Sequence, residues 1–181
     1  RISLLLEHKS EPPKSGEITE QIGRYIFNGR REDMKNKRPL TLIIPIVLYH
    51  GTQRLRAETP LTIFPSVPST LHKYVPAFEY EIVDLVSRSE EDLNEIDFSP
   101  LRHFLLALKY SRNEKKIALF WTDFLNFVAS VDGQLVYIRF VIVTARYLST
   151  TSKTFQKRIS NMNTATATRE EKVFHSILED R

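Results

Sequence analysis

Residues 40–51, LTLIIPIVLYHG, are an almost unbroken apolar run closing on Tyr-His-Gly. Their length suits a strand, and the lack of polar alternation marks a strand covered on both faces. Such a strand needs layers above and below it, so its neighbours in sequence must supply them. Pro45 offers no N–H to a ladder and predicts a bulge or a sheet edge at that point. Upstream, residues 1–8 read as another buried strand, with Ile2, Leu4, Leu5 and Leu6 leading into Glu7 and His8. Between the two strands, SEPPKSG (10–16) is a loop, because two prolines and a glycine forbid regular structure. EITEQIGRYIFNGRREDMKNK then sets Ile18, Ile22, Tyr25 and Ile26 at i, i+4, i+7 and i+8, one face of a helix. A strand, helix and strand in that order argue for an α/β layer architecture.

Beyond this unit, residues 52–76 hold four prolines and read as a long, partly ordered connection. AFEYEIVDLV (77–86) alternates as a half-exposed strand, and a short acidic helix follows over 89–96. Ser99-Pro100 predicts a capped helix start, with Leu101, Phe104, Leu105 and Leu108 at helical spacing. Asn113 opens a further helix whose Ile117, Trp121, Phe124, Leu125 and Val128 share a face. The Phe/Trp series from Phe120 to Phe127 therefore reads as core. QLVYIRFVIVTARYLS has the composition of a strand but the length of a helix, and is read as a helix. Short helices over 153–161 and 169–179 complete the chain. The domain reading is an α/β core over 1–97 and a helical region over 98–181.

The charge is distributed unevenly. Residues 1–60 carry 11 basic and 7 acidic side chains, 61–131 carry 7 and 10, and 132–181 carry 8 and 5. A net charge of +4 permits an anionic partner, and the basic ends say where it would sit. With no cysteine, disulfides, thiolate zinc sites and cysteine nucleophiles are excluded. No apolar run approaches the roughly 18 residues of a membrane span. The expectation is a cytoplasmic protein with no membrane partner.

Glu7 and Lys9 stand at i and i+2 at the end of the first strand, so they share a face with Cα atoms about 6.5 Å apart. Solvated charge at a strand end would look the same. The helix that follows carries Gln21 and Tyr25 at i and i+4, again one face. A strand ending Glu-x-Lys followed by a helix with Gln-x-x-x-Tyr resembles the PD-(D/E)XK nuclease superfamily. With the Tyr-His-Gly strand, the chain most resembles the Rpn (YhgA-like) family of recombination-promoting nucleases and transposases. The segment FLNFVAS…RFVIVTARYLSTTS fits that family's helical second half, and the likeness covers most of residues 1–160.

The resemblance implies a restriction-endonuclease-like core, a central mixed sheet flanked by helices, with its N-terminal part outside this chain. It implies Mg²⁺- or Mn²⁺-dependent hydrolysis of DNA phosphodiesters, linked to transposition or recombination. Glu7 would be a metal ligand, Lys9 would stabilise developing charge or orient water, and Gln21 and Tyr25 would position the DNA backbone or the metal-site residues. Many members of the family have glutamine where this chain has Lys9. The superfamily's first catalytic aspartate would lie on a strand before Arg1, and Asp33 and Asp84 stand on the wrong side of the motif to replace it. Arg24, Arg30, Arg31 and Lys35 on the motif helix are the candidate DNA-phosphate contacts, and a homodimer is a further expected partner state. His50 reads as a strand-end histidine and His8 as facing away from Glu7, while His72, His103 and His175 show no metal spacing. Two other readings compete: a DNA- or protein-binding relic of the same fold, and a structural or oligomerisation role for the helical half.

Overall fold

The computed structural model describes residues 1–130, 135–161, 168–169, 172–174 and 177. The chain divides into two compact units, Arg1–Ser87 and Arg88–Arg181. The first runs β1 (Ile2–Lys9), α1 (Glu17–Lys35), β2 (Leu42–Tyr49), a 3₁₀ turn (Ser69–Tyr74) and β3 (Glu81–Asp84).

The three strands pair in the order β1-β2-β3, and both pairings are parallel. Ile2 lies opposite Leu42 and the register runs unbroken to Lys9 opposite Tyr49. The mixed sheet expected from the sequence is thus, among the described residues, an all-parallel one. Each link between strands is a crossover, through α1 or through the long 50–80 connection, whereas antiparallel neighbours are joined by hairpins. Pro45 causes no bulge. It sits one residue before β3 begins to pair, at Ile46 opposite Glu81, where that flank of β2 is still unpaired.

One face of the sheet is covered by α1. Ile18, Ile22 and Ile26 are buried with Val47, and Leu5, Ile43, Phe78, Tyr80 and Ile82 pack around them. The helix starts at Gly16, whose φ of 76° is open to glycine and strained for other residues. Its N-terminus is capped from a distance, since Glu58 accepts hydrogen bonds from Gly16 N–H (2.6 Å) and Ser15 Oγ (2.8 Å). A carboxylate there also complements the helix dipole. At the other end, Asp33 Oδ2 accepts Thr41 N–H at 2.9 Å and Oδ1 pairs with Arg38 Nε at 3.2 Å, tying α1 to the start of β2.

The other face corrects the buried reading of residues 1–8. Ile2, Leu4 and Leu6 are 67%, 67% and 65% exposed. Among the described strands β1 lies at the edge, and alternation sends Ser3, Leu5, Glu7 and Lys9 towards the α1 side. Three consecutive leucines, Leu4, Leu5 and Leu6, hid that alternation. Ile22 carries the packing of the covered face and is fully buried. Ile22→Ala is expected to cost about 2–5 kcal/mol through lost burial and an unfilled cavity. The check is a lower urea midpoint with an unchanged denaturant slope.

The second unit is helical: α2 (Glu90–Asn94), α3 (Ser99–Tyr110), α4 (Glu114–Ser130), α5 (Leu135–Thr151) and α6 (Lys153–Ser160). The ambiguous segment is the helix α5, and the Phe/Trp series is core, with Phe120, Trp121, Phe124 and Phe127 all buried. Asn113 caps α4 through its side-chain oxygen, which accepts Lys116 N–H at 3.1 Å. Phe98 takes the cap of α3 and Ser99 falls inside the first turn, one residue from the sequence reading. Ser152 caps α6, while Glu114 accepts from Ser152 Oγ, Lys153 N–H and Thr154 N–H and so joins the start of α4 to that of α6. Of the final helix expected over 169–179, Phe174 is fully buried with edge-on contacts to Trp121 and Phe124, and most of the rest lies outside the described residues. No helix among the described residues is long and apolar enough to cross a membrane.

Candidate active site

In open parallel α/β sheets, ligands bind beyond the carboxyl ends of the strands. Here those ends are Lys9, Tyr49 and Asp84, side by side in register. Glu7 stands two residues back on the face of Lys9. Their side chains are 16% and 18% exposed, and Lys9 Nζ lies 3.9 Å from Glu7 Oε1. This is a shielded edge, which distinguishes it from charge spread over open surface.

Lys9 Nζ also donates to Glu17 Oε1 at 3.3 Å, in the first turn of α1. Glu17 is fixed in turn because its Oε2 accepts Lys14 N–H at 3.1 Å. That backbone hydrogen bond, followed by the hydrogen bond from Lys9, holds the Glu17 carboxyl below its ordinary range. The ammonium thus lies between two carboxylates, one on β1 and one on α1. Glu17 was not among the sequence candidates. The only signal for it was an acid opening a helix right after the loop that follows Glu-x-Lys, which a helix dipole explains equally well.

Gln21 and Tyr25 are joined as their spacing suggested: Gln21 Nε2 donates to the Tyr25 hydroxyl at 2.9 Å. Both are half-buried, on a flank of α1 beside the buried isoleucines. This leaves the tyrosine hydrogen to face an acceptor. Arg24 lies over the Tyr25 ring, 5.7 Å from its centre.

Arg24, Arg30, Arg31 and Lys35 are all exposed. They do not form one surface. At about 100° per residue, Arg24, Arg31 and Lys35 fall within about 40° of each other, while Arg30 points about 120° away from Arg24. Arg30 instead lies over Phe27, 6.0 Å from its ring centre.

Asp33 and Asp84, set aside on sequence, both hold backbone. Asp33 ties α1 to β2 as described, and Asp84 accepts N–H groups of Leu55 (3.3 Å) and Val86 (2.8 Å). The Tyr-His-Gly signature has a packing reason as well. Tyr49 is buried with its ring folded back over the turn, and a Cβ on Gly51 would collide with that ring and its hydroxyl. Among the described residues, no three His, Cys, Asp or Glu side chains gather into a metal-binding group.

The family model described as "Putative transposase, YhgA-like" matches residues 1–135. No curated protein and no solved structure matches the chain.

Proposed function

Because the chain belongs to the YhgA-like transposase family, we propose that it supplies the Glu7–Lys9 centre of a divalent-metal-dependent DNA endonuclease acting in transposition or recombination. The observation that carries this reading is the shielded Glu7–Lys9 pair at the carboxyl edge of a parallel sheet, with Lys9 steadied by Glu17. The restriction-endonuclease-like core is part of the same proposal, supported by the order β1-α1-β2 with Glu-x-Lys on β1 and Gln21 and Tyr25 on α1.

Mg²⁺ is held by one or two carboxylates and keeps several waters and substrate oxygens. Glu7 offers one such carboxylate at a partly open edge and fits that pattern, as it does for Mn²⁺. When bound, the ion would neutralise phosphate charge and acidify a water. The remaining work falls to the chain itself. Lys9 would face the negative charge that develops on the phosphate, in a setting where a fixed cation outperforms water. Glu17 would keep that ammonium at the strand end. Gln21 and Tyr25 would hydrogen-bond the DNA backbone, and the stripe of Arg24, Arg31 and Lys35 would follow its phosphates. The reading is tested by magnesium-dependent nicking of supercoiled plasmid by the parent protein, Glu7→Gln and Lys9→Met.

A second reading keeps the fold and loses cleavage, leaving a DNA- or protein-binding module. It is favoured by one fact, the lack of a three-residue ligand group among the described residues. DNA binding without nicking in any divalent ion would select it.

Glu17 separates a structural from a functional effect. Its folded-state value lies below the ordinary one, so its contribution to stability is present above pH ~4.5 and fades as pH falls through the lower, folded value. Glu17→Gln is therefore expected to flatten the acid limb of the stability profile. Urea midpoints measured at neutral pH and near pH 4 provide the check. Cleavage should fall less than in Glu7→Gln, because Lys9 keeps its partner on β1.

A further inference from the structure

We propose that His8 and His50 form a two-imidazole site for a borderline divalent transition-metal ion, such as Ni²⁺ or Zn²⁺, separate from the Glu7 centre. Alternation along β1 turns His8 to the face opposite Glu7 and Lys9. His50 follows the last residue of β2, and its N–H continues the ladder by donating to Lys9 C=O at 3.1 Å. Parallel register therefore brings the two rings together. Their centres are 4.7 Å apart and their planes 19° apart, and the two Nε2 atoms face each other at 2.7 Å.

Without an ion, this contact needs one ring as donor and the other as acceptor. The same two atoms also suit a shared metal. With metal–nitrogen distances of about 2.0–2.1 Å, neighbouring ligands stand about 3.0–3.4 Å apart. The rings need to open by less than about 1 Å and to tilt so that both nitrogen lone pairs converge on the ion. His50 is buried, which fixes one ligand, while His8 is exposed and leaves the remaining positions to water. Among the described residues no third His, Cys, Asp or Glu completes a group, so the site would exchange its ion rather than enclose it. Imidazole nitrogen favours Ni²⁺, Cu²⁺ and Zn²⁺ over the hard ions suited to a carboxylate. Bound metal would clip the end of β1, which carries Glu7 and Lys9, to the end of β2.

The test uses the full, untagged chain and NiCl₂ alone. Calorimetric titration should show binding that weakens at least about tenfold in His8→Gln, since losing a ligand costs no less than losing an outer-shell partner. Saturating Ni²⁺ should raise the unfolding temperature of the parent by roughly 5 °C or more, and the rise should persist when excess Mg²⁺ is already present. His8→Gln, altered at an exposed side chain, should abolish the rise, and Glu7→Gln should keep it. His50→Gln, checked for folding by circular dichroism, should behave as His8→Gln does. Nickel binding that is absent in the parent, or unchanged in His8→Gln, overturns the proposal whatever the nuclease assays show.

Discussion

Glu7→Gln is expected to reduce magnesium-dependent plasmid cleavage at least about 10³-fold, to background, while the protein stays folded. Glutamine keeps the shape of the side chain and removes the charge that would hold a divalent ion, so binding and chemistry fail together. Stability should hardly change. At 3.9 Å the Glu7–Lys9 contact is long, and a loose pair still open to solvent on one side contributes about 0–1 kcal/mol. Lys9 would also retain its 3.3 Å contact with Glu17. Lys9→Met gives a complementary loss of about 10²–10³ in turnover, the scale for removing one preorganised group that meets developing charge. Metal binding should persist in that variant. Nicking assays paired with urea unfolding measure both effects, and wild-type rates in Glu7→Gln would remove the site assignment.

The second large effect concerns DNA affinity. Replacing Arg24, Arg31 and Lys35 together by glutamine should weaken binding strongly at low salt and reduce the slope of log K against log[salt] by about 2.7, from about 0.9 for each lost phosphate contact. Arg30→Gln should leave the slope nearly unchanged, because it points to another side of α1 and lies over Phe27. Sequence alone groups Arg30 and Arg31 as neighbours in one basic run. The helix separates them by about 100° and joins Arg31 to Arg24, seven residues away. Fluorescence anisotropy on a short duplex across a salt series distinguishes the two groupings. If the triple variant keeps the parent slope, this stripe faces bulk water.

The elements most legible in the sequence are those whose apolar residues recur with a single period. Ile18, Ile22 and Ile26 mark the covered face of α1, and Ile117, Trp121 and Phe124 mark that of α4. LIIPIVLYHG yields β2 because its apolar run is short, rich in β-branched residues and closed by a glycine. β1 is legible as a strand, but its uncovered face is not, since Leu4, Leu5 and Leu6 fill both faces with the same chemistry. β3 is shorter than its alternating pattern. Tyr80 leaves the ladder to accept Glu58 N–H at 3.2 Å, a contact with a loop that no local pattern announces. Pairing direction depends on how distant strands meet, and the three described strands pair in parallel.

The site divides in the same way. The shared face of Glu7 and Lys9 and the Gln21–Tyr25 hydrogen bond follow from the periods of a strand and a helix. Glu17 and the His8–His50 contact depend on a loop and on register, so only the folded chain brings them together.

The central claim is that Glu7 holds a divalent ion with which this chain cuts DNA. The most direct measurement follows Mn²⁺ binding by electron paramagnetic resonance in the presence of a DNA duplex, with the duplex from the same samples run on a gel. One bound ion and cleaved duplex are expected with the parent protein, and loss of both in Glu7→Gln. Equal Mn²⁺ binding by the two proteins, or an intact duplex with the ion bound by the parent, would contradict it.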